Sequence, residues 1–293
     1  MSDFILSATS TVDINKEILD REDIRWIAFN YEIDGKNYKE DFGESISFND
    51  FYEAMKDGAM TKTSQITYSS YIEYFENLLK EDKDILHLTL SSGITGEYNQ
   101  ALMAVDMLKE KYPERKIYVV DSLTATACQG LLVLYLNDLR KSGLSIEEVY
   151  ELAKEKREYV HGWFFTSDLT YLVRGGRLSK AAGSFGNLLN ICPLIEVNLE
   201  GKLLVRDKIR TKKKATKALI GQIKNHIAKD SSLPKEIFIV HTHLHEDAEE
   251  LRETLSEKFE GYDIKIYEIG TTIGSHLGPG TLGASFWGDR KEI

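Results

Sequence analysis

One unit recurs through the first half of the chain and constrains the fold more than any other feature. An apolar run gives way to a loop dense in hydroxyls and glycine, and then to apolar residues at helical spacing. Residues 84–90 (DILHLTL) lead into Ser91, Ser92, Gly93, Ile94, Thr95 and Gly96. A helical pattern follows, with Ala101, Leu102, Val105 and Leu108 on one side. Residues 117–120 lead into 121–126 and then into a mostly apolar helix over 127–139. Near the N-terminus, residues 4–7 break into the hydroxyl-rich 7–11. Strands alternating with helices predict a parallel sheet with helices on both faces. In such sheets ligands sit beyond the carboxyl ends of the strands, so the loops 7–11, 91–95 and 121–126 are expected on one rim. None of them is GxGxxG or Walker A, and no lysine stands in the Walker position, so nucleotide triphosphate binding is not expected.

A length of 293 residues suits two domains, and 42% apolar residues allow a sizeable core. The expected division is 1–155 and 156–293, with residues 61–79 packing across to the second unit. The formal net charge of -10 repels nucleic acid and anionic membranes at a distance. There is no long apolar span and no basic segment before the first apolar run, so neither a membrane helix nor a signal peptide is expected, and the location expected is cytoplasmic. Cys128 and Cys192 are far apart and read as small buried hydrophobes.

The remaining segments carry local signals. Residues 26–33 read as one strand entering a hairpin at Asp34-Gly35. Ser47, with Asp50 three residues on, caps a helix that Gly58 ends. Residues 63–67 are expected at a helix N-terminus, where free N–H groups suit an anion. Plain capping by Thr67 or Ser69 is the alternative. Ser145 and Glu148 form a capping box. Residues 160–166 are a strand, and a short helix then ends at Arg174-Gly175-Gly176-Arg177, whose arginines can pair with a carboxylate or phosphate. Ala181, Ala182, Phe185, Leu188 and Leu189 could line a pocket wall. Pro193 marks strand 191–197 as peripheral or bulged, paired with 203–209. The basic block 206–217 reads as a solvated helix face. It lacks the interleaved aromatics of a nucleic-acid surface. His241, His243 and His245 invite a metal, but a strand-to-helix junction is expected to splay them, so none is assigned.

The last constraint is the glycine-rich segment 269–288, IGTTIGSHLGPGTLGASFWG, with His276 as its one readily titratable group. Such glycine density favours close approach of backbone to a ligand. Neutral donors recur at Thr63, Ser92 and His276, amid many apolar side chains. An anionic head on neutral donors, beside a buried apolar body, describes a carboxylate-headed lipid. Each buried methylene would contribute about 0.8 kcal/mol, so the tail supplies most of the affinity.

Five motifs in order, KTSQ (62–65), LSSGITGEYNQA (90–101), VVDS (119–122), YLVRGGRLS (171–179) and IGSHLGPGTLG (273–283), resemble the DegV family of bacterial fatty-acid-binding proteins. The resemblance implies an α/β fold with two domains. One is a Rossmann-like parallel-sheet domain, the other a second α/β domain, with a ligand tunnel between them. It implies a non-enzymatic carrier without cofactor that presents a long-chain fatty acid to a fatty acid kinase. The acid or its acyl phosphate then goes to phospholipid synthesis, with transient contact with acyl-transfer machinery or a membrane surface. Carried over by motif, Thr63, Ser92 and His276 contact the carboxylate. Ser64, Ser91, Gly93 and Gly278 support them, and Arg174 and Arg177 stand at the mouth or partner face. The alternative is a serine-dependent acyl hydrolase with Ser92, His276 and Asp121, although Ser92 lies in SSG and not in GxSxG.

Overall fold

The computed structural model describes residues 4–179 and 191–292. In the first half, the strands are β1 (Phe4–Thr9), β2 (Ile24–Ile27), β3 (Asn30–Ile33), β4 (Lys36–Lys39), β5 (Thr61–Ser64), β6 (Asp84–Thr89) and β7 (Ile117–Asp121). The helices among them are α1 (Lys16–Arg21), α2 (Phe48–Lys56), α3 (Tyr68–Leu79), α4 (Glu97–Lys111), α5 (Ala127–Lys141) and α6 (Ile146–Lys156). The second half adds β8 (Val160–Thr166), α7 (Thr170–Arg174), β9 (Ile191–Val197), β10 (Leu203–Arg210) and α8 (Lys212–His226). It ends with β11 (Glu236–His241), α9 (His245–Lys258), β12 (Asp263–Glu268), α10 (Thr271–Leu277) and β13 (Thr281–Trp287).

The recurring units fold as their alternation requires. Strands β2-β1-β6-β7 form an all-parallel sheet in that order, which aligns the carboxyl ends of β1, β6 and β7 on one rim. The second half builds a six-stranded mixed sheet, β10-β9-β8-β13-β11-β12. Helix α5 joins the two. Leu131, Leu132, Val133 and Leu136 are all fully buried, so this helix is apolar around most of its circumference and must be covered on more than one side. Its core is continuous with Leu6 and Leu88 of the parallel sheet and with Phe164 and Val240 of the mixed sheet.

Three expectations need correction. Residues 26–33 are two strands, not one: β2 joins the parallel sheet, and β3 starts a separate antiparallel sheet, β4-β3-β5. The Asp34-Gly35 hairpin within it is as expected, with both residues at positive φ (47° and 81°). Residues 61–64 are strand β5, so Thr63 is not at a helix N-terminus. Helix α3 is capped by Thr67, whose Oγ1 accepts from the Ser70 N–H at 3.2 Å. Strand β9 is internal, between β10 and β8, and not peripheral, although the ladder it shares with β10 does shift register between Val205 and Asp207. Pro193 is tolerated because pairing to β8 starts at Leu194, so at Pro193 only β10 lies alongside.

Several local signals hold. The Ser145–Glu148 box is complete, and Ser47 caps α2. The basic block is a helix face only in part, since 206–210 belong to β10 and 212–217 to α8; its ion pairs include Arg206 with Glu196 at 2.5 Å and Lys212 with Asp247 at 2.6 Å. The pocket-wall residues Ala181, Ala182, Phe185, Leu188 and Leu189 lie outside the described residues. No helix among the described residues is long and apolar enough to cross a membrane.

Candidate functional site

The site is organised by the short helix α10, whose N-terminal N–H groups meet buried acids from the first half. Asp13 Oδ1 accepts from the Gly270 N–H at 3.1 Å. Glu40 Oε2 accepts from the Thr272 N–H at 2.6 Å and from the Thr271 hydroxyl at 2.5 Å. Tyr52 donates its hydroxyl to Ile269 O at 2.6 Å. Gly274 lies against that phenol, where a Cβ would overlap the oxygen. Burial, and for Asp13 the nearby Glu40, push both carboxyls above their ordinary range. Orphan helix N–H groups are thereby satisfied inside the protein.

Two strand hydroxyls hold the other end of α10. Thr61 donates to Ser275 O at 3.2 Å, and Thr63 Oγ1 lies 2.7 Å from His276 Nε2. Strand β5 therefore does pack across to the second half, whereas α3 packs on α4. Burial, with Arg177 and Arg174 nearby, drives the His276 ring down to about 3, so it is neutral at physiological pH. With the proton on Nε2 the ring donates to Thr63, and the Thr63 hydroxyl proton is free for a carboxylate. Gly175 packs on the ring, where a Cβ would overlap Nδ1, and a Cβ on Gly278 (φ 68°) would overlap the Tyr171 ring.

The arginines separate in role. Arg177 donates to Gly175 O at 2.7 Å and lines the cavity beside His276. Arg174 is exposed, 5.0 Å above the Tyr171 ring, with Nη1 3.3 Å from Met60 Sδ. Two cations beside a neutral imidazole make this end of the site attractive to an anion.

The serine loop is divided in the same way. Ser91 is buried and donates to Gly201 O at 2.8 Å, while its Oγ accepts from the Gly93 N–H at 3.1 Å. Gly93 lies against the backbone of Glu200 and Gly201, so this loop docks on the β9–β10 turn. Ser92 is exposed. Its N–H donates to Asp121 Oδ1 at 3.0 Å, and its hydroxyl stays outside the hydrogen bonds of the described residues. Ser64 is exposed at the end of β5. Gln65 bridges the two loops, with Oε1 against Gly96. Ser92 is thus on a segment adjacent to Thr63 but not in the Thr63–His276 pair.

Between the sheets lies a narrow cavity of about 60 Å³. Its walls are mainly apolar: Ile94, Ala125, Leu172, Val197, Leu203, Val240, Ile273 and Leu277 come from both halves. His276 and Arg177 are its polar groups beside Thr126 and Ser285. Thr126 lines it at φ 53°, uncommon for a β-branched residue and a mark of local strain.

Of the residues expected at the site, the structure brings Thr63, His276 and Arg177 together. The sequence signals missed Asp13, Glu40 and Tyr52, for which local pattern offers no sign beyond the polar neighbourhood of Asp13. The proposed triad is not assembled: Asp121 Oδ1 accepts the Ser92 and Leu123 N–H groups, and the imidazole meets Thr63. The three histidines do not simply splay. His241 and His245 converge with Glu268, while His243, at φ 56°, directs Nε2 to Glu53 at 2.7 Å.

Known proteins match along the whole chain. The model of the DegV family, described as uncharacterised proteins, matches residues 7–289. A DegV domain-containing protein of Clostridium perfringens is 37% identical over 292 residues, covering 100% of both chains. The crystal structure of DegV, a fatty acid binding protein from Bacillus subtilis, is similar with TM-score 0.83 and 28% identity, over 99% of this chain and 100% of that one. The Streptococcus pneumoniae Fatty Acid Kinase (Fak) B3 protein loaded with linoleic acid is similar with TM-score 0.84 and 26% identity, over 99% and 100%.

Proposed function

The chain belongs to the DegV family, and from that membership and the site we propose that it is a carrier of long-chain fatty acids. In this reading the acyl tail enters the narrow apolar cavity by parting its walls, and Thr63, Ser92 and His276 receive the carboxylate. Arg177 supplies positive potential at that end, and Arg174 stands on the outer surface where a fatty acid kinase would arrive. The carboxylate is presented to that kinase, and the acid or acyl phosphate is carried towards phospholipid synthesis. The observation that carries the reading is the character of this narrow cavity, mainly apolar along its walls with His276 and Arg177 among its lining. The fatty-acid-binding relatives of B. subtilis and S. pneumoniae support it.

The residues present have distinct tasks. Tail burial contributes about 0.8 kcal/mol per methylene and sets affinity. The neutral His276, by donating to Thr63, orients a hydroxyl proton towards the carboxylate. A neutral imidazole also avoids the cost of burying another charge when the site is empty. A hydrolase would need the imidazole on the serine, an arrangement the Thr63–His276 and Asp121–Ser92 contacts do not favour.

Native mass spectrometry of the purified protein, with solvent release of any passenger, tests the carrier reading. A bound long-chain fatty acid is expected. A protein that is empty and also refuses added fatty acid would overturn it. Incubation of the loaded protein with a fatty acid kinase and nucleotide tests the second step. Binding without acyl phosphate formation would retire the kinase role and leave the carrier.

A further inference from the structure

A second constellation lies outside the lipid cavity, at the carboxyl ends of β11 and β12. These strands are parallel neighbours with His241 directly paired to Glu268, so the two side chains leave the sheet on the same face. The chain then turns through Thr242, His243 and Leu244 and enters α9 at His245. That turn carries the unusual φ of 56° at His243 and swings His245 back over the strand ends. The His241 and His245 rings meet edge to face with centroids 4.7 Å apart, and His245 Nε2 is 3.6 Å from Glu268 Oε1. One nitrogen of each ring and one oxygen of Glu268 all lie within 4.8 Å of one another.

We propose that His241, His245 and Glu268 form a binding site for a divalent transition metal of the zinc class. Two imidazoles and one carboxylate are a ligand set that zinc accepts, and three protein ligands leave a fourth position open to water. Tetrahedral zinc with bonds of about 2.0–2.1 Å places its ligand atoms about 3.3 Å apart. The His245–Glu268 separation of 3.6 Å is already near that, and His245, being exposed, can complete the closure by side-chain rotation. Burial of His241 fixes one ligand, and the exposed His245 leaves an entry path. Glu268 is also oriented from behind, since its Oε1 accepts the His243 N–H at 3.3 Å. The Leu244 N–H approaches His241 Nδ1 at 3.3 Å. This contact is long, and ligation through either ring nitrogen gives it up for a coordination bond.

The site has a structural consequence. Glu268 directly precedes Ile269 and Gly270, the entry to α10, and His241 O accepts the Ile269 N–H at 2.9 Å. A metal here would tie the start of α9 to the base of the helix that carries His276.

Untagged full-length protein, stripped with chelator and then freed of it, would be titrated with Zn²⁺ by calorimetry and with Co²⁺ by visible absorption. The proposal expects one equivalent bound, a tetrahedral Co²⁺ spectrum, and a thermal midpoint raised by Zn²⁺. His245→Ala and Glu268→Gln should each weaken Zn²⁺ binding by about 100-fold or more and abolish the midpoint shift, whereas His243→Ala should retain both. Because His245 is exposed, its variant tests binding without disturbing the core. Absence of one-to-one binding, or binding that survives His245→Ala and Glu268→Gln unchanged, would overturn the proposal.

Discussion

Replacement of Thr63 by valine would separate recognition of the head from burial of the tail. Thr63 is half-buried on β5, with Oγ1 2.7 Å from His276 Nε2. Valine keeps the branched shape and the strand preference but removes the hydroxyl. In the empty protein the variant leaves His276 Nε2 without its partner, which costs about 1–3 kcal/mol of stability. That orphan is present with and without ligand, so most of its cost cancels from the affinity. What remains is the hydrogen bond to the carboxylate, about 1.5–3 kcal/mol for a charged acceptor. At about 1.4 kcal/mol per decade, the dissociation constant should rise about 10- to 150-fold. Calorimetry with a saturated fatty acid and with the alcohol of the same chain length isolates this term, because both bury the same tail. The acid should lose the full factor while the alcohol changes only a few-fold. Equal losses for both, or an unchanged affinity for the acid, would refute the assignment of Thr63 to the carboxylate.

Three further outcomes follow from the structure. Gly175→Ala places a Cβ on His276 Nδ1 and should displace the ring, weakening binding of the acid but not of the alcohol in the same calorimetric comparison. Glu40→Ala strands the Thr271 hydroxyl and the Thr272 N–H and should lower unfolding stability by about 2–4 kcal/mol in denaturant titration, with Glu40→Gln losing less because an acceptor remains. Buried His87 is held down to about 3 from an ordinary 6.5 by desolvation, so only the unfolded ring takes a proton between these values. Stability from this group is complete above pH 6.5 and falls as pH drops towards 3, and His87→Asn should flatten that slope by up to about 1.4 kcal/mol per pH unit; equal slopes would exclude the histidine as its source.

What was legible in the sequence was local or periodic. The three strand–loop–helix units, the Ser145–Glu148 box and the Asp34-Gly35 turn each depend on residues within a few positions of one another, and each is found. Strand β5 could not be read this way, because TKTS has no apolar alternation. It is a strand because β3 pairs with it across some thirty intervening residues, Tyr31 opposite Thr63. The division of 26–33 between two sheets has the same origin, since partner choice is not written in the segment. Glu40 looked like an ordinary charge after a hairpin, and only the arrival of α10, more than two hundred residues later in the chain, makes it a buried acceptor. The convergence of His245 on Glu268 was hidden for a related reason. It requires the left-handed turn at His243 and the pairing of β11 with β12 together.

Helix α10 shows how His276 can be held in one place although the helix has only seven residues. So short a helix has almost no stability of its own. Its N-terminus is held by Asp13, Glu40 and Tyr52 from the first half, its C-terminal turn by Thr61 and Thr63, and its inner face, through Ile273 and Leu277, forms the cavity wall. Two buried carboxyls with raised proton affinity are a poor choice for stability alone, since matched apolar groups often do as well. They do set direction, because carboxyls that accept the Gly270 N–H, the Thr272 N–H and the Thr271 hydroxyl fix the axis of the helix in a way that apolar packing does not. The position of His276 relative to Thr63 is therefore set by contacts between the two halves of the chain. A ligand that touches both halves binds only where they are associated, so its binding energy adds to their association.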